Sequence, residues 1–182
     1  MDTSFIKSQL SGEIFPSPKH DGNSKLASVL VIIYGSAPKI LMIEKSKELK
    51  HHGGEIAFPG GKWNEDDKDL LETALRETEE EIGVTIARNE VIAQLENVRT
   101  LNSGFAITPF VCVIDHLPNL KTNSEVKSVL NIPLTPFLQT LDDDKDPLHQ
   151  SIQEMYTFTF EDKIVWGASA RILKHLMNRL VI

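Results

Sequence analysis

The stretch "LASVLVIIY", residues 26–34, limits the fold more than any other. It is nearly all apolar and rich in β-branched side chains, with no alternation to leave one face for water. Such a run reads as a strand buried on both faces. The sheet that holds it then needs a covering layer on each side. "GSAPK" follows as a turn and "ILMIEK" as a second strand, which pair the two as a hairpin. "EIAFPGG" reads as a short strand ended by its Pro-Gly-Gly break, and "KWNEDDKD" as a loop.

From Leu70 the period changes. Leu70, Leu71, Ala74, Leu75, Thr78 and Ile82 recur at helical spacing, and Gly83 stands where a left-handed terminus wants glycine. "VTIARNEVIAQLENVRTL" and "FAITPFVCVID" read as further strands, and "SEVKSVLNIPLTPFLQ" as a short helix with a Pro-bounded segment. "EMYTFTFEDKIVWG" suggests a late hairpin, with Trp166 in the core. The C-terminal "ASARILKHLMNRLVI" is a helix with Ile172, Leu173, Leu176, Met177 and Leu180 on its apolar face. The start, "MDTSFIKSQLSGEIF", is a short amphipathic helix before a Pro/Gly/Ser/Asn connector. With no internal repeat in 182 residues, the expectation is a single α/β domain over 1–182, with 1–25 as an extension packing on it.

The net charge of −7 argues against a nucleic-acid binder, which needs a basic stripe to displace counterions. It allows a phosphorylated substrate if metal ions bridge the two. The single cysteine, Cys112, cannot form an internal disulfide and reads as a small core residue in a reducing compartment. The N-terminus lacks the pattern of a signal peptide and the longest apolar run is too short to span a bilayer, so the expected location is the cytoplasm.

The helix from Leu70 carries a conflict. Glu77, Glu80 and Glu81 share one arc, while Glu79 points to the other side, and Arg76 is the only cation between Lys68 and Arg88. Like charges on one face repel, and the C-terminal end of a helix dipole disfavours them further. A charge run is usually a solvated face, yet a local penalty of this kind is also expected at functional sites. Oxygen-only carboxylate clusters suit hard cations, Mg²⁺ or Mn²⁺, which bind through carboxylates plus substrate phosphates. A calcium-binding protein is a rival reading, but "DDKDLLETALRETEEE" lacks the loop glycine and ligand alternation of an EF-hand. If the carboxylates merely repel, removing one should spare the fold or even raise thermal stability.

With "FPGG" upstream and "IGV" closing the helix, the stretch resembles the Nudix box, Gx5Ex7REUxEExGU with U a bulky apolar residue. Arg76, Glu77, Glu80, Glu81, Gly83 and Val84 fit its second half in register, and Thr78 replaces an apolar residue. Between Gly61 and Arg76 there is one extra residue, and Asp67 is the nearest stand-in for the first glutamate. That insertion, the Asp67/Asp69 pair and "TALRE" resemble the coenzyme A pyrophosphatase branch. So does the upstream "LMIEKSKELKHHGGEIAFPGG", although Lys45 and Lys50 stand where that branch commonly has arginines. The later "ITPFVCVI" and "IVWGASARIL" continue the likeness.

The resemblance implies a Nudix-type α/β/α sandwich with a mixed sheet and a loop-helix-loop box. It implies a metal-dependent pyrophosphohydrolase using Mg²⁺ or Mn²⁺ on a small-molecule nucleotide, with coenzyme A or acyl-coenzyme A leading. The metal ligands are then Glu77, Glu80 and Glu81, with Glu80, Glu81, Glu125 and Arg76 as the catalytic set. Arg76 would neutralise and orient the carboxylates. The base is a box glutamate acting through water, or Glu125 in "NSEVKS", which alternatively caps a helix. Substrate binding falls to Lys45, Lys50, Gly60 and Gly61, where a glycine pair lets the backbone approach closely and the Gly60 carbonyl is a further ligand candidate. Lys45, Lys47 and Lys50 read either as a solvated strand end or as contacts to an extra phosphate. His51 and His52 read as loop positions rather than metal ligands, and Trp63 as a loop cover or an adenine platform. Rivals are a Nudix enzyme for ADP-ribose, NADH or an oxidised nucleotide, and a non-catalytic Nudix module. Both no-membrane and no-nucleic-acid expectations hold across these readings, and each allows a homodimer.

Overall fold

The computed structural model describes residues 1–17, 25–49, 52–101, 103–146 and 155–181. In chain order its elements are α1 (Thr3–Leu10), β1 (Lys25–Tyr34), β2 (Lys39–Lys45), β3 (Ile56–Ala57), β4 (Gly60–Lys62), α2 (Leu70–Ile82), β5 (Val91–Gln94), β6 (Val98–Arg99), β7 (Phe105–Ile114), β8 (Val126–Pro133), α3 (Leu134–Leu138), β9 (Asp142–Asp143), β10 (Tyr156–Phe160), β11 (Lys163–Val165) and α4 (Gly167–Leu180).

Strands β1 to β8 form one mixed sheet along the path β3-β2-β1-β7-β5, with β4 added to β1, β6 to β7 and β8 to β2. β1 and β2 make the expected hairpin, Ile33 opposite Ile40. β1 and β7 run parallel from Lys25 opposite Phe105 to Tyr34 opposite Ile114. A parallel neighbour requires a crossover, and α2 lies on that connection.

Side-chain alternation along β1 explains the two covering layers. Leu26, Leu30 and Ile32 face a core with Leu70, Leu71, Ala74 and Ile82 of α2. Val31 and Ile33 face the other core, with Ile6 and Leu10 of α1, Phe137 of α3 and Ile172, Leu173, Leu176 and Leu180 of α4. The layers are therefore helix, sheet, helices, as expected for an α/β/α sandwich. Ile6 and Leu10 are fully buried, so α1 belongs to that second layer.

Three segments differ from the sequence reading. "EIAFPGG" is two short strands, because Pro59 has no N–H to carry a ladder and the chain re-pairs from β2 to β1 around it. In "SEVKSVLNIPLTPFLQ" the first half is β8, paired with β2, and only Leu134–Leu138 is helical. Its Pro136 sits in the first turn, where a missing N–H costs little. Trp166 is 41% exposed rather than core: Val165 is the buried residue of β11, and strand alternation turns its successor outward. Among the described residues no helix is long and apolar enough to cross a membrane.

Candidate active site

Helix α2 is fixed at both ends before its carboxylates come into play. Asp69 caps the N-terminus, its Oδ1 accepting from the Glu72 N–H at 2.9 Å. Gly83 ends it in the left-handed region, φ 70°, as its position in the sequence implied. Two carbonyls of the last turn, Ile82 and Glu81, accept from the Lys121 and Asn123 N–H groups at 2.9 and 3.0 Å. These contacts dock the loop before β8 onto the helix end. On the sheet side, the buried Ser28 hydroxyl donates to the Leu70 carbonyl at 2.6 Å.

Arg76 organises one side of the cluster. Its Nε and Nη2 grip Asp67 in a fork at 2.8 and 2.9 Å. Nη1 reaches Glu77 Oε1 at 2.9 Å and Glu80 Oε1 at 3.3 Å. Asp67 also accepts from the Thr73 hydroxyl at 2.8 Å. The fork from Arg76 holds the Asp67 carboxyl below its usual range despite burial, and the same contacts raise the Arg76 guanidinium. The Asp67/Asp69 pair is thus divided: Asp67 anchors Arg76, while Asp69 caps α2 and takes Arg88 at 2.6 Å.

Glu81 occupies a different environment. It is 2% exposed, with Oε1 on Lys45 Nζ at 2.7 Å and Oε2 accepting from the Gly60 N–H at 2.9 Å. Burial pushes its carboxyl up, opposed by Lys45 and the Gly60 N–H. The expectation that these carboxylates merely repel is corrected here, since one of them is a buried ion-pair partner. Lys45 is accordingly engaged with Glu81 and is not a free contact for substrate. Gly60 presents its N–H to the cluster, a role the sequence did not suggest. A Cβ on Gly61 would overlap the Glu77 carboxylate, so the bare backbone there forms the cradle of Glu77.

Glu125 stands before a strand and not before a helix, so the helix-capping alternative is excluded by the pairing of β8 with β2. Its backbone carbonyl accepts from the Ser46 N–H at 2.8 Å, next to Lys45, and its side chain is exposed. A register shift between Glu44 and Lys45 marks a bulge opposite Lys127, and such bulges re-aim side chains near sites. Lys50 and His51 lie outside the described residues. Lys47 is exposed, His52 pairs with Glu55 at 3.0 Å, and Trp63 packs against the α2-side core. Sequence reasoning missed Lys45 as the partner of Glu81 and the Lys121–Asn123 clamp. The only signal for the first was a lysine ending a buried strand, which names no partner.

Among the described residues no three His, Cys, Asp or Glu side chains are gathered closely enough to hold an ion as they stand. The donor set nonetheless fits a hard divalent cation in kind. It is all oxygen, Arg76 already draws positive charge between Glu77 and Glu80, and Gly61 leaves the Glu77 carboxylate a cradle without a side chain.

The NUDIX domain model matches residues 24–129, more than half of the chain. A Yersinia pestis relative, described as an uncharacterized Nudix hydrolase, NudL, is 31% identical over 166 residues, covering 88% of this chain and 81% of its own. In solved structures, a MutT/nudix family protein from Enterococcus faecalis covers 98% of this chain and 73% of its own with TM-score 0.63 at 17% identity. The Nudix domain of Shewanella oneidensis NrtR, solved with ADP ribose, covers 64% of this chain and 77% of its own with TM-score 0.50 at 21% identity. The two structures speak for the fold, and the sequence relative and domain match, joined to an Arg76-organised glutamate helix cradled on Gly60 and Gly61, place this chain in the Nudix hydrolase family.

Proposed function

We propose that this Nudix hydrolase cleaves the diphosphate linkage of coenzyme A or acyl-coenzyme A, giving adenosine 3′,5′-bisphosphate and 4′-phosphopantetheine or its acyl form. The observation that carries diphosphate chemistry is the Glu77/Glu80/Glu81 face, set by Arg76 on one side and by the Lys45 and Gly60 contacts on the other. Branch-like motifs from Leu41 to Gly61 and around Asp67 and Asp69 support the coenzyme A assignment.

Nudix hydrolases generally use divalent metal ions. A divalent ion supplies charge neutralisation and a lower pKa for the attacking water. Glu77, Glu80 and Glu81 would hold it, Mg²⁺ or Mn²⁺. Arg76 holds Glu77 and Glu80 close together, using Asp67 as its anchor. Lys45 and the Gly60 N–H fix both oxygens of Glu81, so this ligand does not swing. Gly60 and Gly61 let β1 and the Glu77 carboxylate pack directly against the backbone of β4. Glu125, exposed beside Lys45, accepts the proton from the attacking water.

A second reading is an ADP-ribose-type substrate, favoured by the ADP ribose bound to the Shewanella oneidensis domain. A non-catalytic module is disfavoured, since nothing in binding alone requires three like charges on one face. The test is product analysis on coenzyme A, ADP-ribose, NADH and 8-oxo-dGTP with Mg²⁺ and with Mn²⁺. Adenosine 3′,5′-bisphosphate from coenzyme A at the highest kcat/KM is the expected result. Faster turnover of ADP-ribose would transfer the assignment to the second reading.

A further inference from the structure

Lys25 and Lys62 bring two ammonium groups to one ring on the sheet face opposite α2. Each Nζ lies 5.6 Å from the centre of the Phe105 ring. The strand registers dictate this. Lys25 is opposite Phe105 across the parallel β1/β7 pair, and Lys62 is opposite Ala27 across β1/β4. Leu26 faces α2, so Lys25 and Ala27 leave the other face, and Lys62 and Phe105 leave it with them. Between them Ala27, itself buried, contributes only a methyl group.

Neither lysine has a carboxylate partner among the described residues, although the chain carries a net charge of −7. Two ammonium groups each 5.6 Å from one ring centre lie no more than twice that distance apart, and a cation–ring contact at an exposed site offsets little of their repulsion. An anion between them resolves the conflict. The place is also close to the chemistry. Lys62 directly follows Gly61, the cradle of Glu77, and its carbonyl accepts from Arg76 Nη2 at 3.4 Å. Strand β4 pairs only with β1 among the described residues, so Lys62 sits on an edge strand of the sheet, one residue from the cradle of Glu77.

We propose that Lys25, Lys62 and Phe105 form a subsite for a phosphomonoester on the nucleoside half of the substrate, the phosphate that is not cleaved. This rests on the diphosphatase reading and deepens it. The lysines supply charge and Phe105 supplies an apolar floor for ribose or base. Lys45, bound to Glu81, is thereby relieved of phosphate recognition.

The test compares kcat/KM for coenzyme A and 3′-dephospho-coenzyme A in the wild type, Lys25→Ala, Lys62→Ala and Lys62→Arg, with Mg²⁺. In parallel, calorimetry compares the binding of adenosine 3′,5′-bisphosphate and adenosine 5′-monophosphate. The wild type should favour the additional phosphate about tenfold in both measurements. The margin should shrink with salt, collapse toward unity in Lys62→Ala, fall in Lys25→Ala and persist in Lys62→Arg. A wild type without the margin, or alanine variants that keep it, overturns the subsite while turnover leaves the diphosphatase reading standing. Failure to hydrolyse any diphosphate overturns that reading instead, and the binding margin still decides the subsite.

Discussion

Glu80 and Glu81 are neighbours in sequence and opposites in environment. The Glu80 side chain is 56% exposed and pairs with Arg76, whereas Glu81 is buried against Lys45 and Gly60. Their amide variants should therefore separate. Glu80→Gln should lower kcat by about a hundredfold or more with the unfolding free energy changed by less than about 0.5 kcal/mol. Glu81→Gln should lower kcat similarly and also cost about 1–3 kcal/mol, because it leaves the part-buried Lys45 without its anion. Adding Lys45→Met to Glu81→Gln should restore much of the stability and none of the activity. Urea unfolding and initial rates on the same preparations check both halves, and equal stability of the two single variants would contradict the ion-pair account. Glu125 is the third residue to separate. With helix capping excluded, Glu125→Gln should leave the melting temperature within about 2 °C, lower kcat and remove the acid limb of the pH–rate profile. An unchanged profile would return the base to the box glutamates.

At the scale of elements, β4 supports the acidic helix through Gly60 and Gly61, which carry no side chains. Gly60 has φ 151°, and a Cβ there would collide with the Ser28 carbonyl and the Val29 backbone of β1. Gly61 would collide with the Glu77 carboxylate, the far end of a flexible side chain. Backbone cannot yield and a glutamate can. Gly60→Ala should thus cost about 2–4 kcal/mol, while Gly61→Ala should cost about 1 kcal/mol or less and lower kcat by displacing Glu77. Thermal melts and initial rates on the two variants distinguish these outcomes. A stability loss at Gly61 equal to that at Gly60 would contradict this packing. Thr78, the departure from the box pattern, is fully buried and closes its hydroxyl on the Ala74 carbonyl at 2.7 Å. Its burial demand is met within the helix, which explains why the position accepts a polar residue.

Across the whole molecule, Glu44 ties the main sheet to the C-terminal hairpin. The buried carboxylate takes Lys127 at 2.6 Å and Ser128 at 3.1 Å from β8, and Lys163 at 3.0 Å from β11. The Lys127 hydrogen bond, against desolvation and with help from Lys163 and Ser128, draws its carboxyl from 4.5 to about 2. The folded value lies below the unfolded one, so this contribution is complete above about pH 4.5 and fades as the pH falls toward about 2. The melting-temperature gap between wild type and Glu44→Gln should be widest near neutrality, narrow below about 4.5 and close near 2. A gap independent of pH would show that the ion pairs are not its source.

Read from its residues alone, the chain discloses its layers and its acidic face. The unbroken apolar run of β1 demanded cover on both sides, the period from Leu70 demanded a helix, Gly83 ended it, and the carboxylate arc followed from helical geometry. These are local properties, set by dihedral preference and spacing. Long-range partnerships were decided by the fold. Lys45 meets Glu81 across 36 residues, and the Lys121–Asn123 loop caps a helix that ended some forty positions earlier. Val126–Pro133 became a strand because β2 offered it an open edge, overriding the helical reading. Spacing does not encode which buried charge meets which, since that depends on where the sheet brings distant segments together. Tertiary packing alone therefore divided three similar glutamates into one buried and fixed by Lys45 and two held from the outside by Arg76.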